Sequence, residues 1–213
     1  MSGRKQKTGS KTQRPAARPK LFAPGETVNG HADMGWAVRF SSDDDLAEGY
    51  RLAADNVVRG ATEGGESTEL MFFPAALLYR HAVELLLKEC IRYGQKLGVP
   101  LSNRGGDALA GSHSLGKLWP RFLDVVQARL PFEAEDRAML EEAEQIVNEF
   151  DKYDPAGMAF RYSRDKEGQK KLLEGLPPLV CLTQMQNVAN RLIDFLSACV
   201  ATLDHVLHAG DGL

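Results

Sequence analysis

The spacing of hydrophobic residues predicts a chain built almost entirely of amphipathic α-helices. The first helix is expected to begin after Ser42, at the acidic run from Asp43 to Asp45, and to reach about Arg59. A serine cap followed by carboxylates in the first turn is typical of a helix start, because the helix dipole favours negative charge there. We therefore interpret the three carboxylates as part of a helix start and expect no metal.

Four further helices follow, separated by polar or proline-containing breaks. They are expected over residues 68–97, 113–130, 133–153 and 177–208. Pro120 interrupts the third segment, so a short turn over "HSLGKLW" is expected to precede the main helix, which starts afresh at the proline. The pattern places the chain in the all-α class.

The last helix carries hydrophobic residues at alternating steps of three and four, which is the heptad pattern. The seam comprises Leu182, Met185, Ala189, Leu192, Leu196, Cys199, Leu203 and Val206. Such a helix packs nearly parallel or antiparallel to a long neighbour. Two neighbours fit this pattern, the helix over residues 68–97 or the same helix of a second subunit, and the second case predicts a homodimer through the last helix.

The segment before the last helix differs in character from the rest of the chain. In "GMAFRYSRDKEGQKKLLEG", the apolar Met158, Phe160 and Tyr162 alternate with other residues, and the polar turn "RDKEG" follows. Alternation of this kind predicts either a short β-hairpin or a packed loop between helices.

Composition and charge divide the 213 residues into three parts. Residues 1–20 hold seven of the 26 Lys and Arg residues and none of the 29 acids, which leaves 19 basic and 29 acidic residues, a net charge of -10, beyond them. We expect a disordered basic tail over 1–20, an irregular lead-in over 21–41 and one helical domain over 42–213. The tail is either a solvated extension or an arm that contacts a polyanion.

Membrane and redox features indicate a soluble cytoplasmic protein. We find no uninterrupted apolar run near the roughly 20 residues that cross a bilayer. The three cysteines are far apart and form no metal-binding or disulfide pattern, so reduced thiols are expected. No cofactor is expected either.

The stretch "LLYRHAVELLLKECI" places four ionisable residues, Arg80, His81, Glu84 and Lys88, in an otherwise apolar helix. A helix with so narrow a polar surface is expected to be buried on most sides. Buried charges need partners, and the i,i+4 spacing from Arg80 to Glu84 to Lys88 supplies some of them.

Two interpretations of this polar centre stay open at the level of sequence. In one, the charges form a structural salt-bridge ladder that fastens the helix to its neighbours. In the other, Arg80, His81 and Lys88 present donors to an anionic group and Glu84 orients them. Other polar residues that could converge on the same centre are His113, Arg161, Asp165, Asn187, Asn190, Arg191 and Asp194.

Three motifs together resemble a group of bacterial HEPN-domain proteins. These motifs are the Tyr-Arg-His-x-x-Glu-Leu-x-x-Lys helix, the helix start "HSLGKLW" and the segment "FRYSRDKEG", and the likeness spans roughly residues 70–207. The resemblance implies an up-and-down bundle of four to five α-helices that often dimerises. Many HEPN proteins are RNases, often toxins or defence effectors, whose signature is an Arg followed four to six residues later by His. In this chain no Arg is followed by His at that spacing. His113 lies nine residues after Arg104, and His205 lies fourteen residues after Arg191.

The resemblance without its RNase signature implies a non-catalytic HEPN-like domain that binds a nucleotide, an RNA phosphate or a protein partner, in a defence or toxin–antitoxin setting. The ligand-binding residues are then expected to be Arg80, His81, Glu84, Lys88, His113, Arg161, Tyr162 and Asp165. One alternative is a noncanonical metal-independent RNase that uses His81 and His113 with Arg80 or Arg161. Another is a structural or interaction protein without a ligand.

Overall fold

The protein is described here from a computed structural model. The structure describes residues 42–102, 112–130, 134–164 and 175–210, together with 32–34, 37, 167–169 and 173. The predicted basic tail lies outside the described residues, as does most of the lead-in. The chain divides into two compact units, Met1–Arg39 and Phe40–Leu213, and the second unit holds all the elements considered below.

Five helices make up the described part of this second unit, and no strand occurs among its described residues. They are α1 (Asp43–Glu63), α2 (Thr68–Lys96), α3 (Leu115–Arg129), α4 (Ala134–Tyr153) and α5 (Leu182–Gly210). The prediction of an all-α bundle of four to five helices is therefore confirmed.

The acidic run at the start of α1 forms a helix cap, as the sequence predicts. The Ser42 hydroxyl accepts from the Asp45 backbone N–H, and the Asp45 carboxylate accepts from the Ser42 backbone N–H at 3.0 Å. This reciprocal capping box satisfies two N–H groups that a helix start otherwise leaves unpaired. The Ser42 hydroxyl also donates to Asp45 Oδ2 at 2.8 Å, and the hydrogen bonds to this carboxylate, first from the Ser42 backbone and then from its hydroxyl, lower the pKa of Asp45.

Helix α2 lies at the centre of the bundle and packs against α1, α3 and α5. Its buried residues lie around most of the helix, from Ala75 through Tyr79 to Ile91. Near its end, Gly94 allows α3 to come close, because a Cβ at that position would lie 2.2 Å from Val125 Cγ2. The prediction that this helix is buried on most sides is confirmed.

The predicted break in the third helix is wrong. Helix α3 runs without interruption through Pro120 and is capped by the Ser114 side chain, which accepts from the Lys117 N–H. Proline removes the hydrogen bond to the carbonyl four residues earlier and crowds that carbonyl, and here this residue, Gly116, lies in the first turn. Trp119 and Phe122 are both buried on either side of the proline, so packing holds the helix together there.

Helix α5 begins at Leu182, five residues later than the predicted start at Pro177. Proline disfavours helical geometry in the residue before it, so the two consecutive prolines keep residues 176 and 177 out of the helix. The heptad seam packs against α2 of the same chain, and the thiol of Cys90 lies 3.9 Å from the Leu196 carbonyl oxygen. Of the two predicted neighbours, the structure places the intrachain one against the seam.

The aromatic segment before α5 forms turns over residues 155–161, with the Arg161 and Tyr162 N–H groups donating to the Met158 carbonyl at 3.0 and 3.1 Å. The packed-loop alternative describes this part of the segment. Asp165 and its neighbour at 166 lie outside the described residues.

Two helices are long and apolar enough to cross a membrane by length and composition alone. They cover residues 68–96 and 182–209, with mean hydropathy of 1.4 and 1.3 in their most apolar windows. Charged residues occur within both helices, for example Arg80 in the first and Arg191 in the second, so neither is an uninterrupted apolar run. Half of the first window and 39% of the second are buried inside the bundle, and the core helices of soluble proteins pass the same test.

Candidate functional site

Arg80 lies at the centre of the buried ionic cluster, and only 2% of it is exposed. Its Nη1 donates to Glu84 Oε2 at 3.1 Å, one turn further along α2. Its Nη2 donates to two backbone carbonyls, those of His113 and Asp154. Its Nε lies 3.1 Å from Asp154 Oδ2, a charge contact whose angle falls outside that of a hydrogen bond. One guanidinium thus ties α2 to two segments that are distant in the chain.

Glu84 is the common acceptor of the cluster. Its Oε1 accepts from Lys88 Nζ at 2.7 Å and lies 2.9 Å from His113 Nδ1. Burial alone would raise the pKa of Glu84, but the hydrogen bonds from Lys88 and His113, with the charges of Lys88 and Arg80, lower it below its usual value. An ionised carboxylate only accepts, so His113 Nδ1 is the donor in this contact.

Asp154, which follows the end of α4, organises the turn that closes the site. Its Oδ1 accepts from the N–H groups of Met158 and Ala159, at 2.5 and 2.8 Å. Within this turn, just before Met158, Gly157 takes a φ of 69°, and a Cβ there would lie 3.1 Å from Arg80 Nη1. Glycine adopts this left-handed conformation without strain and leaves room for the guanidinium.

The start of α3 holds His113 in place. Asp151 of α4 accepts from the Ser114 hydroxyl at 3.1 Å and from the Gly116 N–H at 3.0 Å. A Cβ at Gly116 would lie 2.5 Å from Asp151 Oδ2, so a side chain at this position would displace the carboxylate. The motif "HSLGKLW" therefore combines a helix cap, a helix–helix contact and core residues with the histidine that precedes them.

These elements enclose a cleft of about 220 Å³. The residues that line it are Tyr50, Leu77, Leu78, Arg80, His81, Glu84, His113, Gly157 and Arg161. His81 packs edge-on against the Tyr50 ring, with ring centroids 4.5 Å apart. Burial lowers the pKa of His81 below its usual value. The charge of Glu84 opposes this shift, and the charges of Lys88 and Arg80 add to it.

Two polar side chains of the cleft, those of His113 and Arg161, are accessible to solvent. The His113 side chain is 55% exposed, while Arg161 is exposed and donates through Nε to the Gly157 carbonyl at 2.8 Å. Among the described residues Arg161 has no carboxylate partner. The charges of Arg80 and Lys88 balance those of Glu84 and Asp154, so the positive charge available to a ligand lies on Arg161.

Most of the sequence-predicted site residues converge on this cleft. Those that line it are Arg80, His81, Glu84, His113 and Arg161, while Lys88 lies behind Glu84 and outside the lining. Tyr162 is 54% exposed and lies outside the lining, with its ring centroid 6.0 Å from the Arg161 guanidinium. Asp165 lies outside the described residues.

The polar residues of α5 belong to a different contact. Asn190 and Gln186 donate to Asp55 Oδ1, at 3.1 and 2.8 Å, and Arg191 pairs with Glu142 on α4. None of these three lines the cleft, and neither do Asn187 and Asp194. The expectation that the α5 residues Asn187, Asn190, Arg191 and Asp194 converge with Arg80 is therefore wrong.

Sequence reasoning missed three residues that shape the site, Tyr50, Asp154 and Gly157. Tyr50 lies on α1, whose periodic pattern marks it only as a residue near the core. An aspartate followed by Pro155 and Gly157 is a turn signal, because such side chains accept from backbone N–H groups a few residues on. That signal could have identified Asp154 as a turn residue, but its charge contact with Arg80 depends on the fold.

The fold and the site define a class of protein, an all-α bundle with a buried ionic cluster beneath a small cleft that carries histidines and an arginine. Within the described ranges no three His, Cys, Asp or Glu side chains are grouped so as to hold a metal ion. Comparisons with family models, curated proteins and solved structures find no match to this chain.

Proposed function

We propose that this protein is a non-catalytic, HEPN-like binding domain whose cleft receives a phosphate group of a nucleotide or RNA. The observation that carries the proposal is that His81, His113 and Arg161, from three separate parts of the chain, line one cleft. Arginine is well suited to phosphate recognition because its planar donors match the phosphate oxygens.

The size of the cleft limits what enters it. Its volume of about 220 Å³ is below the roughly 300–1,000 Å³ of pockets that enclose a whole small-molecule ligand. A phosphate with the adjoining part of a sugar fits this space, and the remainder of the ligand lies outside it. The ligand is thus held by one phosphate group at the cleft.

The buried charges have a supporting role in this proposal. Arg80 donates hydrogen bonds to Glu84 and to two backbone carbonyls, so it fixes the positions of His113 and the 154–159 turn. The structural interpretation of the Arg80, Glu84 and Lys88 ladder and the binding interpretation of the cleft are therefore compatible. The direct ligand contacts fall to His113 and Arg161, with His81 at the wall.

Isothermal titration calorimetry with mononucleotides and short RNAs tests the proposal. Arg161→Gln should weaken binding by about tenfold, because a charge-assisted hydrogen bond is lost, about 1.5 kcal/mol or more. The matched control is Arg164→Gln, which removes the same charge from an exposed residue of the same loop that does not line the cleft. Absence of binding by every nucleotide and RNA would refute the proposal.

A noncanonical metal-independent RNase is the second candidate, and the contact between Glu84 and His113 favours it. A carboxylate that holds one imidazole nitrogen leaves the other available as a general base. The same titrations discriminate the two functions if the RNA is recovered in the presence of a chelator and its length is measured. Intact RNA supports binding alone, and cleavage that is lost in His113→Ala supports the RNase.

A further inference from the structure

A second cavity, of about 280 Å³, lies between the first half of α2, the second half of α4 and the start of α5. It shares no lining residue with the cleft around Arg80. The two cavities are therefore separate sites.

The lining of this cavity is predominantly apolar and aromatic. Its larger side chains include Phe72, Phe150, Tyr153, Phe160, Met185 and Val188. Protein interiors are close-packed, and few voids exceed the size of a water molecule. An apolar cavity of about 150 Å³ is enough to hold a benzene-sized ligand. The larger volume here suits a molecule of about two fused rings.

Large apolar side chains lie in water at the mouth of the cavity. Leu179 is 89% exposed and the adjacent Val180 is 42% exposed, and both belong to the lining. A ligand that filled the cavity and reached its mouth would cover part of these two side chains. Removal of apolar surface from water is favourable by roughly 25 cal/mol per Å².

The charges around the cavity disfavour an ionic ligand of either sign. Among its described lining residues there is no Lys, Arg or His, and Glu149 is the one carboxylate. An anion would therefore lack a partner and face Glu149. A cation would lose its hydration against the aromatic lining, and the exposed Glu149 would offset little of that cost, because ion pairs in water contribute about 1 kcal/mol or less.

A few polar groups remain that can hydrogen-bond to an uncharged ligand. The Gln184 side chain is exposed and lines the cavity, as does the hydroxyl-bearing Tyr153. Amide and hydroxyl groups each donate and accept. Pockets with an apolar body and a small number of polar groups fix the orientation of a ligand in this way.

We propose that this cavity binds an uncharged, mainly apolar small molecule of about two-ring size that carries one hydrogen-bonding end group. The apolar body lies against the aromatic side chains of α2 and α4. The polar end points to the mouth, near Gln184. This site and its ligand class are separate from the phosphate cleft.

Three probes that share one ring system and differ in charge test the ligand class. They are 2-naphthalenemethanol, 2-naphthoate and 2-naphthylmethylammonium, titrated against the full chain by saturation-transfer NMR. We expect the alcohol to bind at least about tenfold more tightly than either ion, because burial of an unpaired charge is costly. Equal affinity for the three probes, or no binding of the alcohol, would overturn the proposal.

Variants locate the binding of the alcohol. Val188→Trp places a large ring at a half-buried lining position and should abolish binding of the alcohol, while its neighbour Asn187→Trp, exposed and outside the lining, should retain it. Because Val188→Trp could disturb folding, Leu179→Ser provides a second variant at an exposed position, with an expected loss of about threefold. Unchanged affinity in Leu179→Ser, or equal losses in the two tryptophan variants, contradicts the assignment.

Discussion

At the scale of single residues, Arg80 shows how a buried charge is made tolerable. Burial of an isolated charge costs several kcal/mol, and the structure offsets this cost with two carboxylates, Glu84 and Asp154, and two backbone carbonyls. The carboxylate four residues along the helix is visible in the sequence. Asp154 lies 74 residues away, so its part in the cluster follows from the fold alone.

Replacement of Arg80 by methionine should destabilise the protein strongly. Glu84 and Asp154 would lose their buried counter-charge, and removal of one partner of a buried pair costs about 3–5 kcal/mol. Urea denaturation of the wild type and of Arg80→Met measures the difference in the free energy of unfolding.

Arg92→Met is the matched control on the same helix. Arg92 also pairs with two carboxylates, Asp43 and Glu89, but its side chain is 40% exposed, so the loss should stay below about 1 kcal/mol. Equal losses in the two variants would show that the Arg80 cluster has no special structural role.

At the scale of elements, the helices could be predicted from periodicity and caps, but their junctions could not. The α1 start follows from Ser42 and Asp45, both local signals, and α2 follows from its apolar periodicity. The junction of α1, α2 and α5 depends on Asp55, whose Oδ1 accepts from Tyr79, Gln186 and Asn190. The three donors lie on two other helices, and no spacing in the sequence predicts that they contact Asp55.

The Asp55 junction should make stability depend on pH in the acid range. Burial alone would raise the pKa of Asp55, but the hydrogen bonds from Tyr79, Gln186 and Asn190, with the charge of Arg51, lower it below its usual value. A carboxyl whose folded pKa is lowered stabilises the fold above its unfolded pKa, and this contribution is lost as pH falls through the folded pKa.

Melting temperatures measured by circular dichroism between pH 6 and pH 3 test this dependence, since the unfolded pKa is about 3.9. Asp55→Asn keeps an acceptor oxygen but cannot ionise, so its melting temperature should fall less than that of the wild type as the pH drops below about 4. Parallel curves for the two proteins would mean that Asp55 does not contribute to acid unfolding.

At the scale of the whole molecule, local sequence motifs predicted several residues of the candidate site but not the role of each. The helix "YRHAVELLLK" and the helix start "HSLGKLW" mark Arg80, Glu84 and His113, because buried charges in an apolar helix require partners elsewhere. The motifs also mark Arg161. They do not separate a supporting role from a ligand contact, since that depends on burial, which differs sharply between Arg80 at 2% exposed and the His113 side chain at 55% exposed.

The heptad seam of α5 concerns the predicted homodimer. Its apolar positions satisfy the pattern that predicts a long helical neighbour, and α2 of the same chain occupies that place. The homodimer predicted through the last helix stays a prediction, and it needs a surface other than the seam.

The central claim is that the cleft above Arg80 binds phosphate through His113 and Arg161. The most direct measurement is an NMR titration of the full chain with dimethyl phosphate, in which the His113 imidazole and Arg161 side-chain signals are followed. The claim predicts that these two signals shift together and saturate, while those of Arg191, which pairs with Glu142 away from the cleft, stay unchanged. Shifts of equal size at Arg161 and Arg191, or none at either residue, would contradict it.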